Sequence, residues 1–474
     1  MHIKNLFLLP VLVAGLGLTL AGRVTAQTFT TLHSFTAANY VPVNLYTNSD
    51  GSHPLAGLIL SGKRLYGTAN GGGSSGNGTV FGVDTDGTGF TNLHNFTDAP
   101  SPLHINSDGA SPYAGLILSG NTLYGTAYKG GTSGYGTVFA INTDGTGFTT
   151  LYSFEDPYAW PYAGLILSGN TLYGTTTGGG SSLFGTVFAV NTDGTGFTTL
   201  YSFTGGSDGD SPRAGLILSG NTLYGTANGG GSSGNGTVFA VSTVGTGFTT
   251  LHSFASSDGV NPQARLILLG NTLYGTTTGG GSSFDGTVFA LNTDGTGFRK
   301  LHDFTNGSDG ADPSAGLIAS TSGNTLYGTA VSLGGGGSAG TVFAVNTNGA
   351  GFTNLHSFTD YIQSDGANPY ADLILSGNTL YGTTFEGTTN GNGTVFSLSL
   401  GPVIRPQLTI IRSAANVILS WPTNATGFVL QSATMLANGG DWQDSLLSAT
   451  ETNGHKVVLL TPTGARGFFR LRSP

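Results

Sequence analysis

The chain has 474 residues, of which only 8% are Asp, Glu, Lys or Arg and 81 are Gly, and its formal net charge is −9. The absence of Cys excludes disulfide staples and thiol chemistry, while 28 Phe, 18 Tyr and frequent Val, Ile and Thr exclude a disordered chain. The acidity is concentrated between Thr28 and Pro402, where seven Lys or Arg face 21 Asp or Glu; such a body repels phosphate backbones and argues against a nucleic-acid partner.

Residues 1–26 begin with Lys4 and an apolar run broken by Pro10, and end in the small-residue pattern Val24-Thr25-Ala26. This pattern predicts a cleaved secretory signal peptide. No later stretch is long and apolar enough for a transmembrane helix, so the mature chain is expected outside the cytoplasm, extracellular or in the cell envelope.

From residue 27 to 402 one unit recurs. Aligned on the Tyr of "LYGT" it gives Tyr66, Tyr124, Tyr173, Tyr224, Tyr274, Tyr327 and Tyr381, spaced by 58, 49, 51, 50, 53 and 54 residues. Each unit carries four strand-like runs, in the third "AGLILSG", "TLYGTTT", "GTVFAVN" and "FTTLYSF", with Gly-Asn and Asp-Gly turn signals. Four short antiparallel strands per unit of about 50 residues predict a β-propeller blade. An "FTTLHSF" run precedes the first unit and is missing after the last "GTVFSLS". The expected fold is therefore all-β, a seven-bladed propeller closed by an N-terminal strand that leaves no open edge. Within "LYGT", side-chain alternation suggests that the Gly leaves room for a Tyr packing across from the neighbouring blade.

The "GGGSSGNG" run lacks the Lys and following helix of a phosphate cradle and reads as a turn. The connection between blades varies most in length, and it shares a face with that loop, which makes this face the candidate recognition surface. Aromatic residues outside the repeat pattern gather there: Tyr40, Tyr46, Tyr128, Tyr135, Tyr158, Trp160, Phe184 and Phe284. They either cap blade cores or bind sugar rings or a protein surface; Trp160, in "EDPYAWPY", is the leading candidate. Where most units have Gly in "AGLI", the fifth has Arg265 and the seventh Asp372, placing opposite charges at the channel mouth.

Asp50, Asp108, Asp208, Asp258, Asp309 and Asp365 recur in "SDG", leaving structural calcium open as a stabiliser although Asp-Gly is itself a turn former. No other cofactor is expected, and no metal-binding residues are assigned. His33, His94, His252, His302 and His356 exchange with Tyr152 and Tyr201 at the same repeat position, which points to a half-buried ring with a polar tip and not to a proton shuttle. No catalytic constellation is recognised.

"GPVIRP" reads as a linker to residues 403–474, whose net charge is +3 and whose alternating runs predict a small β-sandwich with Trp421 and Trp442 in its core, or a sorting or anchoring module.

The repeated "LYGTTTGGGSSGNGTVFAVNTDGTGFTTLHSF" pattern resembles the GloVer tandem-repeat proteins of bacteria, often termed choice-of-anchor proteins, and the tail is similar to C-terminal modules of verrucomicrobial type. The resemblance implies an extracellular or envelope location and supplies no activity. The function expected from the sequence is non-catalytic recognition or scaffolding, with polysaccharide or an extracellular protein as partner. The alternatives are a glycan-cleaving enzyme using Glu155, Asp156 and Glu386, or a matrix or adhesive protein without a discrete site.

Overall fold

The structure, a computed structural model, describes residues 27–41, 45–100, 103–331, 339–359, 365–387 and 391–401, and in the tail residues 408–413, 416–422, 429–433, 443–444, 449–452, 455–460 and 468–472. The expected signal peptide and Trp442 lie outside the described residues. Within these residues there is no helix, and repeated four-stranded antiparallel sheets build a propeller-like, all-β molecule.

The third sheet shows the construction. Its strands, Ile166–Ser168, Thr171–Thr176, Thr186–Asn191 and Thr198–Ser202, pair in chain order. Ser168 opposes Thr171, so Gly169 and Asn170 form a two-residue hairpin, and the φ of +58° at Gly169 suits the first position of a type II′ turn. Six sheets follow this order; the other adds the N-terminal strand Thr28–Ser34 beside Thr394–Ser399, with Phe29 opposite Leu398 and Thr31 opposite Phe396. The alternating pattern thus buries both faces of each sheet against its neighbours.

One side of the third sheet presents Tyr173, Val187 and Ala189, and the other Leu172, Phe188 and Val190; the other sheets follow the same alternation, with Gly82 and Ser397 replacing the Ala in the first and last. Tyr173, Val187 and Ala189 of the third sheet meet Leu216, Leu223 and Phe239 of the fourth in one core cluster. The same association joins the last sheet to the first, where Tyr381 and Val395 pack with Leu58, Leu65 and Phe81.

The glycine of "LYGT" has a different role from the one its sequence suggests. Gly174 lies opposite Phe188 in its own sheet, and a Cβ there would come within 2.6 Å of Phe188 Cζ and 2.9 Å of Leu165 Cδ2. The space therefore admits the phenylalanine of the adjacent strand, while Tyr173 spans the seam to the next sheet. A bulky ring beside a bare backbone is a favourable cross-strand pair, and this accounts for the local order Leu-Tyr-Gly-Thr.

The Thr completes the unit by fastening consecutive sheets. Thr175 Oγ1 donates to the Ala214 carbonyl at 3.2 Å, and Thr383 Oγ1 makes the equivalent bond to Ala56 between the last and first sheets, also at 3.2 Å.

In the tail, strands Thr409–Ser413, Asn416–Pro422, Thr450–Thr452 and His455–Leu460 form one antiparallel sheet, and Val429–Ala433, Gln443–Asp444 and Phe468–Arg472 form a second. Leu419, Trp421 and Val458 of the first share a core with Leu430 of the second, so Trp421 is buried as expected.

Candidate functional site

The residue between Pro and Ala in each "PxA" corner forms a ring around one cavity mouth: Leu55, Tyr113, Tyr162, Arg213, Gln263, Ser314 and Tyr370. The cavity has a volume of about 190 Å³ and is continuous in its lining with a second space of about 320 Å³ that adds Asn70 and Phe385. The corner is rigid on both sides. After it, the Ala carbonyl accepts the Thr bond from the preceding sheet. Before it, Pro161 packs on the bare backbone of Gly136, where a Cβ would lie 2.5 Å from Pro161 Cδ.

The residue before each of these prolines is left-handed: His53, Ser111, Trp160, Ser211, Asn261, Asp312 and Asn368 have φ between 43° and 57°. Backbone bonds on both sides hold the strained geometry; Trp160 N–H donates to the Tyr135 carbonyl at 3.1 Å, and its own carbonyl accepts from Thr177 N–H at 3.2 Å. An invariant frame thus presents side chains that differ from unit to unit, and left-handed non-Gly residues of this kind gather where a surface is used.

The second and third units fill that frame with aromatic rings. Tyr135 meets Tyr158 at 6.2 Å between centroids, Tyr158 meets Trp160 at 5.2 Å, and Trp160 meets Tyr128 at 5.7 Å. Tyr128 then contacts Tyr113 edge-on at 5.0 Å, and Tyr113 stacks on Tyr162 at 4.8 Å. The Arg213 guanidinium lies 5.8 Å from the Tyr162 ring centre. Six rings therefore run without a break from the face to the channel mouth. Burial raises the Tyr113, Tyr128 and Tyr162 hydroxyls above the usual tyrosine range.

Of the residues anticipated from sequence, Trp160, Tyr158, Tyr128 and Tyr135 are brought together. Phe184 instead covers Gly205, whose Cβ would lie 2.8 Å from its ring, and Phe284 is 71% exposed, away from the ring path. Tyr40 pairs in register with Tyr46 in the hairpin Asn39–Val41/Leu45–Thr47, and Tyr46 is exposed. Arg265 and Asp372 line the mouth, with Arg265 Nε 3.7 Å from Asp372 Oδ2 and Asp372 Oδ1 accepting from Gly316 N–H at 2.6 Å. Tyr113, Tyr162, Tyr370 and Arg213 escape an inspection of loops because they sit beside a strand; the signal was a single variable position between two constant ones in "PxA".

The carboxylates of the alternative enzymatic reading serve separate loops. Asp156 accepts from Gly180 N–H in the third unit, and Glu386 accepts from Asn368 Nδ2 at 3.2 Å in the seventh. Glu155 and Asp156 both face Tyr152, whose hydroxyl is raised by burial and then by their charge. His53 is held below the ordinary imidazole value by burial, against the pull of Glu386.

The recurrent aspartates staple the connections. Asp108 accepts from His94 Nε2 at 2.9 Å and from Thr97 N–H at 2.9 Å, and Asp208 accepts from Tyr201 Oη at 2.9 Å and Thr204 N–H at 2.8 Å. Among the described residues no group of three or more His, Cys, Asp or Glu is arranged to hold a metal ion.

No curated protein matches the chain in sequence. Among solved structures, an oligogalacturonate lyase from Vibrio parahaemolyticus aligns at 9% identity over 79% of this chain and 97% of its own, with a TM-score of 0.49. A 6-phosphogluconolactonase-like protein from Bacteroides uniformis aligns at 17% identity over 67% and 90%, with a TM-score of 0.44. Such distant likenesses carry no argument about activity. In sequence, the Gloeobacter/Verrucomicrobia repeat matches residues 17–239, 156–270 and 222–439, and the chain belongs to that repeat family.

Proposed function

We propose that the seven sheets are the blades of one closed propeller, exported from the cytoplasm, that binds a polysaccharide on its loop face without cleaving it. The observation that carries the reading is the unbroken path of six rings from Tyr135 to Tyr162. Rings of this amphipathic kind stack on the apolar faces of sugars while their hydroxyls and indole N–H reach the sugar oxygens. A path several rings long, ending in a concave mouth, suits successive residues of one chain better than a flat protein partner. The signal-like residues 1–26 and the basic tail support export and attachment, as in the choice-of-anchor proteins that the repeat resembles.

Titration of the full chain with a panel of soluble polysaccharides tests the reading. Saturable binding without release of shorter products is expected, with roughly tenfold or greater loss in Tyr162→Ala, since one buried aromatic anchor contributes more than 1 kcal/mol. Depolymerisation of any member would replace binding by catalysis. Binding that survives removal of Tyr162 and Trp160 together would place the ligand elsewhere. Recovery of a secreted chain beginning at Gln27 checks the export component.

A further inference from the structure

The charges at the mouth run against the rest of the molecule. The body between Thr28 and Pro402 has three times as many acidic as basic residues, seven against 21. The cavity lining, by contrast, holds Arg213 and Arg265 against the single carboxylate of Asp372. Neither guanidinium is fully engaged. Arg213 leans on the Tyr162 ring and pairs with no carboxylate among the described residues. Arg265 is 54% exposed in its side chain and stands 3.7 Å from Asp372, one of whose oxygens is already committed to Gly316 N–H.

A third donor points the same way. Asn70, in the wall of the adjoining space, sets its side-chain amide beside the Tyr113 hydroxyl, and its Nδ2 carries two protons to donate. Glu386 follows the lining residue Phe385 in sequence, but its carboxylate is turned to Asn368 and it does not line either space. Two guanidinium groups against one carboxylate thus leave the mouth with a net positive charge in an otherwise acidic body.

We infer that the channel mouth seats an anionic substituent of the glycan, a carboxylate or a sulfate, with Arg213 and Arg265 as its ion-pairing partners and Asn70 Nδ2 as a neutral donor. The inference rests on the glycan-binding reading and specifies its substrate class. An incoming anion competes with Asp372 for Arg265, so Asp372 lowers affinity in the native protein and keeps the mouth from holding small anions indiscriminately. Guanidinium forks match both anions geometrically, and the aromatic path supplies what a free anion lacks.

Calorimetric titration of the full chain with oligosaccharides of equal length, one neutral, one built of uronic acids and one sulfated, provides the test. At low salt at least one anionic ligand is expected to bind roughly tenfold or more tightly than the neutral one, and the advantage should shrink as ionic strength rises. Which of the two gains more identifies the anion. Arg213→Gln and Arg265→Gln should each lower the ratio of anionic to neutral affinity, and Asp372→Asn should raise it. Equal affinities for neutral and anionic ligands overturn the inference and leave glycan binding standing. An anionic preference that persists in the Arg213→Gln, Arg265→Gln double variant also overturns it, by placing the anion elsewhere. Failure of all three ligands, and of the wider panel, removes the glycan reading itself.

Discussion

The imidazole of His356 stacks on the ring of Phe29 with centroids 4.1 Å apart and planes inclined by 9°. Phe29 belongs to the first strand of the array and His356 to the outer strand of the sixth sheet. The same contact recurs inside the array: His94 on Phe148 at 3.8 Å, Tyr152 on Phe197 at 3.8 Å, Tyr201 on Phe248 at 3.8 Å, and His302 on Phe352 at 3.7 Å. The N-terminal strand thus takes the part that the outer strand of each unit takes elsewhere. His33 of that strand continues the pattern by stacking on Phe90 at 3.7 Å.

If the junction made by Phe29 is equivalent to the internal ones, Phe29→Ala should destabilise the chain about as much as Phe148→Ala. Each should cost about 1–3 kcal/mol, because these rings are only partly buried. A double-mutant cycle between His356 and Phe29 should return a coupling of about 0.5–1.5 kcal/mol. Thermal denaturation supplies both measurements, and a neutral Phe29→Ala beside a costly Phe148→Ala would show that the ring does not depend on its first strand.

Gly174→Ala adds a methyl group 2.6 Å from the Phe188 ring without demanding an unusual backbone angle at residue 174. Overpacking of this kind costs about 1–3 kcal/mol. Combining it with Phe188→Leu should recover part of that loss, since the smaller side chain vacates the space. Strict additivity in the melting temperatures of the single and double variants would refute the assignment of Phe188 as the occupant.

The staples make stability depend on pH in a definite direction. Burial holds His252 and His302 below the ordinary imidazole value of 6.5, outweighing the pull of Asp258 and Asp309. Burial alone would raise Asp108, Asp309 and Asp365, but hydrogen bonds from their His and Thr partners bring them below 3.8. For both kinds of group the folded chain binds fewer protons than the unfolded one. Their contribution is therefore present above the unfolded value and is lost as pH falls through the folded one. The melting temperature should begin to fall below about pH 6.5 and fall again below about pH 4. At the alkaline end, burial and the Asp208 carboxylate push the Tyr201 hydroxyl up to about 12, so its contribution is present below 10 and disappears as pH rises through 12. A melting temperature flat between pH 7 and 4 would contradict the acid-side assignment.

The repeat was legible because its residues answer to local rules. The "GN" hairpins and the alternation of "TLYGTT" follow from strand geometry, and the order of the strands follows from their number. The partner of Gly174 was not legible, because alternation says which side a residue faces and not which neighbour fills the space. The pairing of His94 with Asp108 was equally hidden: the separation from ring to carboxylate changes from unit to unit, 14 residues there and 7 between His302 and Asp309. A hint existed in the exchange of His for Tyr, since both can donate to a carboxylate, as Tyr201 does to Asp208. At the channel mouth, Arg265 and Asp372 stood out as departures from Gly, whereas Tyr113 and Tyr162 resembled ordinary strand-edge residues. Only the convergence of the units shows that they share one cavity.

Trp160 offers a way to separate folding from recognition. Its φ of 43° is a left-handed angle that Gly adopts without steric cost, and the following Pro161 keeps the corner in place. In Trp160→Gly the relief of backbone strain offsets the added freedom of the unfolded chain, each being about 1 kcal/mol, so what remains is the loss of the indole contacts with Tyr128 and Tyr158. The melting temperature should therefore fall little, whereas affinity for the glycan should drop roughly tenfold or more because the ring path is cut at its middle. Phe284→Ser is the control: it removes an aromatic residue that is 71% exposed, more so than Trp160, and lies outside the path, and it should leave affinity unchanged. Equal losses in the two variants would mean that diffuse surface hydrophobicity, and not the line of rings through Trp160, holds the ligand.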